Sequence, residues 1–220
     1  KYHKEMTEMK KISLLLISIT TIASSQLRVG LDFGGGVKQN FLGIMEIEQN
    51  SKQGFTVGYE KTLSGIAGIG AEYVVTQVGD AEMKSSASFF GESVSDSETT
   101  SDKMFPNVLK VYGLARVPLG VPFLRGVVRA GMFVPLGSTD IEGESFKWGD
   151  VYKTGLTWGV GVRAKLPVFP FGAELLYQSM KLDSGSGIDL FGEGDDDDEG
   201  GMLFPNGDFT NFTLAVTYSF

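Results

Sequence analysis

The densest cluster of chemistry-bearing side chains is an acidic run, Asp195, Asp196, Asp197, Asp198 and Glu199, set among glycines in "FGEGDDDDEGG". Hard divalent cations want several oxygen ligands, which such a run can supply. Its spacing is not that of an EF-hand loop, and a block of like charges also makes a self-repelling, solvated loop. The second reading carries more weight. A Ca²⁺ or Mg²⁺ site there is a weak candidate, and no other metal site is expected. "GVGVRA", with Gly159, Gly161 and Ala164, has the spacing of a dinucleotide fingerprint. That fingerprint needs a helix after it, and none is indicated, so glycines of a strand account for it better. Asn211-Phe212-Thr213 is a formal glycosylation sequon, but it falls inside a strand. The chain has no Cys, and its one His is His3. Thiol catalysis and disulfides are excluded. His3 lies in a segment expected to be removed, so a His general base is not expected either. No residue stands out for a Ser or Asp mechanism. The expectation is a protein that is not an enzyme and carries no cofactor.

A second set of charges is dispersed: Arg28, Asp32, Glu60, Glu72, Lys110, Arg116, Arg125, Arg129, Arg163, Lys165 and Glu174. Position unites them. Each stands at one parity of a stretch whose other parity is apolar, which is the period-2 signature of a β-strand. Eight such stretches follow one another, and no segment keeps a helical period. They cover about 26–36, 54–63, 66–79, 107–117, 122–136, 153–166, 171–182 and 209–220. The apolar parity runs Leu27, Val29, Leu31, Phe33 in the first and Leu156, Trp158, Val160, Val162 in the sixth. In the last it is Phe212, Leu214, Val216, Tyr218 and Phe220.

The connections alternate in length. Short Pro- or Gly-marked turns, "LSG", "PLGVP" and "PVFP", join strands two to three, four to five and six to seven. The other connections, about 37–53, 80–106, 137–152 and 183–208, are long. Long structureless loops count against a compact soluble domain. They are the rule in transmembrane barrels, which have even strand numbers, short periplasmic turns and long external loops. The predicted fold is therefore all-β, an eight-stranded antiparallel up-and-down transmembrane barrel.

The charged parity decides which face is which. Arg or Lys on the lipid face of a barrel costs about 2–4 kcal/mol at the midplane. Seven cations at that cost are untenable, so they are expected to face the lumen, where Asp32, Glu60, Glu72 and Glu174 can pair with them. The same parity is rich in Gly (Gly30, Gly34, Gly58, Gly68, Gly70, Gly131, Gly155, Gly159, Gly161, Gly172), which makes room for long side chains. Tyr59, Tyr73, Trp158, Phe171, Tyr177, Tyr218 and Phe220 lie on the apolar parity, many near strand ends, as an interfacial girdle does. A soluble periplasmic lipid-binding barrel would invert the faces and is the weaker alternative.

The chain from 26 to 220 resembles the small outer-membrane β-barrel family of Gram-negative bacteria, of the OmpA-barrel and OmpX type. The closing "FTLAVTYSF" resembles that family's C-terminal assembly signal, made here of Phe212, Leu214, Val216, Tyr218 and the terminal Phe220. The Gly often found earlier in that signal is absent. The resemblance implies that the barrel-insertion machinery reads this strand and that it pairs with the first strand to close the barrel.

The segment "MKKISLLLISITTIASS", residues 9–25, has a positive start, a short apolar core and small residues at Ala23 and Ser25. That is a secretory signal peptide, and the core is too short for a transmembrane helix. Residues 1–25 are expected to be removed, with 1–8 an over-extended start, leaving 26–220 as the barrel domain. The formal charge of −8 argues against nucleic-acid binding. The expected location is the bacterial outer membrane. The expected partners are its lipids, including lipopolysaccharide, the insertion machinery, and divalent cations at the external loops; a monomer is expected. No C-terminal peptidoglycan-binding domain is expected after the last strand. The expected role is structural or surface-interactive, through acidic loops, with a narrow channel or carrier for small solutes as the alternative.

Overall fold

The computed structural model describes residues 25–41, 45–89, 92–141, 144–166, 168–183 and 207–220. Strands dominate. Eight of them form the barrel: β1 (Ser25–Phe41), β2 (Met45–Thr62), β3 (Ala67–Val75), β6 (Asn107–Pro118), β7 (Leu124–Leu136), β10 (Gly155–Lys165), β11 (Phe171–Leu182) and β12 (Gly207–Ser219). Their order is β1-β12-β11-β10-β7-β6-β3-β2, and β2 pairs back onto β1, so the sheet closes. Every pairing is antiparallel. The closing seam runs from Gln26 opposite Ser219 to Phe33 opposite Phe212. Closure matters because hydrocarbon offers no partner to an open strand edge.

The two faces follow the alternation. Leu27, Val29, Leu31, Val57, Val111, Val128, Val160, Leu175, Leu214 and Val216 are exposed on the outside, while Arg28, Glu60, Glu72, Lys110, Arg129, Arg163 and Glu174 are buried within. A soluble fold hides apolar side chains and shows charges. Here the charges are inside and an apolar belt is outside, the arrangement of a barrel solvated by lipid. Aromatic side chains pack near both ends of that belt: Phe171, Tyr218 and Phe220 at the short-turn end, and Trp158, Tyr177 and Phe212 toward the other.

The terminal strand is held at both edges. The Ser219 amide donates to the Pro170 carbonyl at 2.8 Å and the Phe220 amide to the Ser25 carbonyl at 3.1 Å. The short turns fall at 63–66, 119–123 and 166–170.

Three predicted loops carry structure of their own. Residues 37–41 and 45–53 are not loop: they continue β1 and β2, which stay paired as far as Phe41 opposite Met45. Within 80–106, β4 (Ala81–Phe89) takes over the edge of β2 above the point where β3 ends, and β5 (Glu92–Thr100) pairs with β4. Within 137–152 lie a short hairpin, β8 (Ser138–Ile141) with β9 (Glu144–Lys147), and a single helical turn, α1 (Trp148–Val151).

Gly34 is a correction. It does not line the lumen; it is exposed, at φ 62°, where the β1–β12 register shifts between Phe33 and Gly36. Such a bulge moves the strand on by one residue and exchanges its faces. Val37 is accordingly buried although Phe33, at the same parity, is exposed. Gly70 does what was expected of the inward glycines: a Cβ there would sit 2.6 Å from the Tyr112 ring.

Val160 lies midway along the outer face of β10. Val160→Arg should cost about 2–4 kcal/mol in vesicle-reconstituted protein, read from the midpoint of urea unfolding. An unchanged midpoint would mean that this face meets water.

Candidate functional site

The lumen is built in layers. In its middle, side chains from strands all around the barrel converge. Arg129 on β7 reaches Glu60 of β2 at 2.5 Å, Glu174 of β11 at 2.8 Å and Glu72 of β3 at 3.4 Å. Arg28 on β1 joins Glu174 at 2.8 Å and Glu72 at 2.9 Å. Arg163 on β10 joins Glu60 at 2.8 Å and also Glu174. Arg116 on β6 joins Glu60 at 3.0 Å. Lys110 lies 3.6 Å from Glu72 and donates to the Gln178 side-chain oxygen at 3.0 Å. The Arg129 guanidinium also lies over the Tyr112 ring, 4.8 Å from its centroid, a cation–π contact.

Eight of the eleven predicted lumen residues thus meet in one network: Arg28, Glu60, Glu72, Lys110, Arg116, Arg129, Arg163 and Glu174. Asp32 joins it indirectly. It forms no ion pair among the described residues; the Thr213 hydroxyl donates to it, and Thr213 accepts from Gln178 at 2.6 Å. Arg125 and Lys165 stand apart at the short-turn end. Arg125 is exposed and donates to the Gly65 carbonyl at 3.3 Å, and Lys165 donates to the Ser219 hydroxyl at 2.6 Å. These two are corrections to a uniform charge network: they lie where strands end, beyond the reach of the glutamates. Gln26, which accepts from Arg116 at 3.0 Å and Arg163 at 2.6 Å, was missed in the sequence, since a lone Gln at a strand start carries no distinguishing signal.

Toward the long-connection end the lumen turns apolar. Val37, Val74, Val108, Phe133, Met180, Leu182 and Phe209 point inward there and pack with Met104, Phe105, Trp148, Val151 and Tyr152 from the connections. Phe105 meets Phe209 edge-on at 4.9 Å, and Trp148 stacks on Tyr152 at 5.8 Å. Burial holds the Tyr152 phenol well above its ordinary range. Polar ties fix the plug to the rim. The Met104 amide donates to the Gln77 side chain at 2.8 Å, the Thr76 hydroxyl to the Pro106 carbonyl at 2.7 Å, and the Trp148 amide to the Gly137 carbonyl at 3.0 Å. The sequence held a signal for this layer: Val74, Val108, Phe133, Met180 and Phe209 share the parity of the lumen charges but are apolar.

Phe212, Leu214, Val216 and Tyr218 of β12, and Phe220 directly after it, lie exposed on the barrel's outer surface. The acidic run Asp195 to Glu199 and residues 1–24, which hold nearly all of the expected signal peptide, lie outside the described residues. No grouping of three or more acidic or His side chains suited to a metal occurs among the described residues.

No family model and no curated sequence matches the chain. Solved structures do. Neisserial surface protein A is similar at a TM-score of 0.51 and 8% identity, over 90% of this chain and 97% of that one. Ail, the attachment invasion locus protein of Yersinia pestis, has a TM-score of 0.43 at 14% identity, over 89% and 97%. The translocator domain of the autotransporter NalP from Neisseria meningitidis has 0.32 at 11%, over 98% and 96%. At these identities the first likeness speaks for the fold, and the other two carry no argument. Closed strand order, inverted faces and this likeness together define the chain's fold as the small eight-stranded outer-membrane β-barrel.

Removing one partner of a buried ion pair costs about 3–5 kcal/mol, because the other charge is left uncompensated. Arg129→Met should lower the stability of the refolded barrel by about that much in urea titrations. Arg125→Gln, outside the network, should leave it within about 0.5 kcal/mol. Equal effects would contradict the separation of these two arginines.

Proposed function

We propose that the chain is an outer-membrane protein whose N-terminal leader is removed on export and ends short of Ser25, which is already part of β1, and whose sealed barrel supports the segments at its long-connection end. Its role is then structural or surface-interactive rather than catalytic. One observation carries this reading: the lumen is obstructed twice, by the ion-pair network at mid-height and by the apolar plug above it. An eight-stranded barrel has an interior just wide enough for its own side chains to fill, and both layers are filled that way. Exposed aromatic and aliphatic side chains give the outer membrane's lipids an apolar belt to solvate. The hairpins β1–β2 and β4–β5 raise a polar, acidic sheet beyond the belt, with Glu46, Glu48, Asp96 and Glu98 on it. The insertion machinery reading the Phe220 strand, lipopolysaccharide around the belt and divalent cations at the acidic loops complete the proposed set of partners, with the barrel acting as a monomer.

Two measurements test it. On intact cells, added protease should cleave within residues 80–106 and leave the barrel whole. Cleavage only after lysis would overturn the surface role. In planar bilayers the folded protein should give no stable conductance steps, and steady steps would favour the channel reading instead.

A further inference from the structure

Arg125 and Arg163 stand directly opposite each other in the β7–β10 pair. Like charges in that relation repel and weaken a sheet. Lys165 lies two residues beyond Arg163 on the same parity, and Arg116 reaches the same place from β6. The four cations line one cavity of about 280 Å³ at the short-turn end, together with Gln26, Pro122 and Phe123.

The nearby carboxylates are already engaged. Glu60 holds Arg116 and Arg163 while also serving Arg129, and Glu174 holds Arg163, Arg129 and Arg28. Among the described residues neither Arg125 nor Lys165 has an acidic partner. Neutral oxygens of Gly65 and Ser219 hold them instead. Arg116 Nε is buried without a hydrogen-bond partner. The Gln26 side-chain oxygen is taken by two of the arginines, so it offers the surplus charge no further relief.

The Arg125 guanidinium and the Lys165 ammonium, each making one hydrogen bond here, face the same space beside the engaged Arg116 and Arg163, and with positive charge in excess they are a donor set for a phosphate. Basic pockets at a membrane face take lipid head groups in the same way. Phe123, Leu119 and Val121 of the adjoining turn are exposed, so apolar surface borders the cavity. We propose that this cavity binds a phosphate group presented from the short-turn side. Its sources are the head group of an anionic lipid in that leaflet, which rests on the membrane reading above, or soluble phosphate, which does not.

The test uses the whole folded barrel in detergent. Native mass spectrometry would follow titration with phosphatidylglycerol and, separately, phosphatidylcholine; calorimetry would follow inorganic phosphate. Arg125→Gln/Lys165→Gln is the diagnostic variant, since neither residue belongs to the ion-pair network; Lys165→Gln alone is the second. A gel shift between unboiled and boiled samples reports barrel folding independently. The expected result is one retained phosphatidylglycerol per barrel, little phosphatidylcholine, and at least about a tenfold weaker affinity in the double variant. Binding of inorganic phosphate that the same variant loses, without lipid preference, would support the site and assign it to soluble phosphate. Equal retention of the two lipids with no phosphate isotherm, or variants that bind like the parent, would overturn the proposal. A wild-type protein that shows no gel shift would instead remove the membrane reading and the lipid source with it, leaving the phosphate isotherm to decide the site.

Discussion

A single guanidinium ties three strands together across the lumen. Arg129 of β7 contacts Glu60 of β2, Glu72 of β3 and Glu174 of β11, and those glutamates in turn hold Arg28, Arg116, Arg163 and Lys110. With hydrocarbon outside, apolar side chains are accommodated on either face over most of the barrel's height, so the buried charges are what decides which face turns inward. Buried charges cost several kcal/mol each unless they are paired and hydrogen-bonded. A strand shifted by one residue would turn its charges to the lipid and its leucines to the lumen. The network therefore fixes register as much as it adds stability.

The lumen divides its labour along the barrel axis. The charged layer at mid-height holds the strands in register. The plug of Phe105, Phe133, Trp148, Tyr152 and Phe209 closes the long-connection end with contacts of the kind found in a soluble core. It also pins the connections 101–106 and 148–152 to the rim, through Gln77, Thr76 and Gly137. The short-turn end has neither device. There, cations outnumber the carboxylates within reach, and Arg125 meets Arg163 across a strand pair. The layer that holds register and the end that is left electropositive thus come from the same alternating pattern.

Period-2 alternation makes the barrel strands legible, some nearly residue for residue and others with errors at their ends: the pattern puts the third strand at 66–79, whereas β3 is Ala67–Val75. β11 was read as 171–182 and is Phe171–Leu182; β6 was read as 107–117 and is Asn107–Pro118. What was not legible has physical causes. Gly34 bulges β1 and exchanges its faces, so the alternation from Val37 onward appeared to break and 37–53 passed for a loop. β4 and β5 alternate polar with polar ("KSSAS", "SVSDSETT"), because they rise beyond the apolar belt and no face of theirs needs hydrocarbon. The charged lumen residues were readable from the cost of exposing them to lipid. That the network stops short of Arg125 and Lys165 depends on how far a glutamate side chain reaches, which no sequence pattern states.

The assignment of faces underlies all of this, and it can be measured directly. The chain contains no Cys, so each introduced Cys carries the only label. Spin labels at Val128, Val160 and Val216 on the outer face, and at Thr213 and Thr217 on the inner, should separate cleanly in reconstituted protein. The outer labels should collide with dissolved oxygen and be shielded from a water-soluble nickel reagent, and the inner labels should be immobilised. Outer labels that collide freely with the nickel reagent would mean that the apolar face meets water and that the membrane barrel is the wrong solution to this sequence.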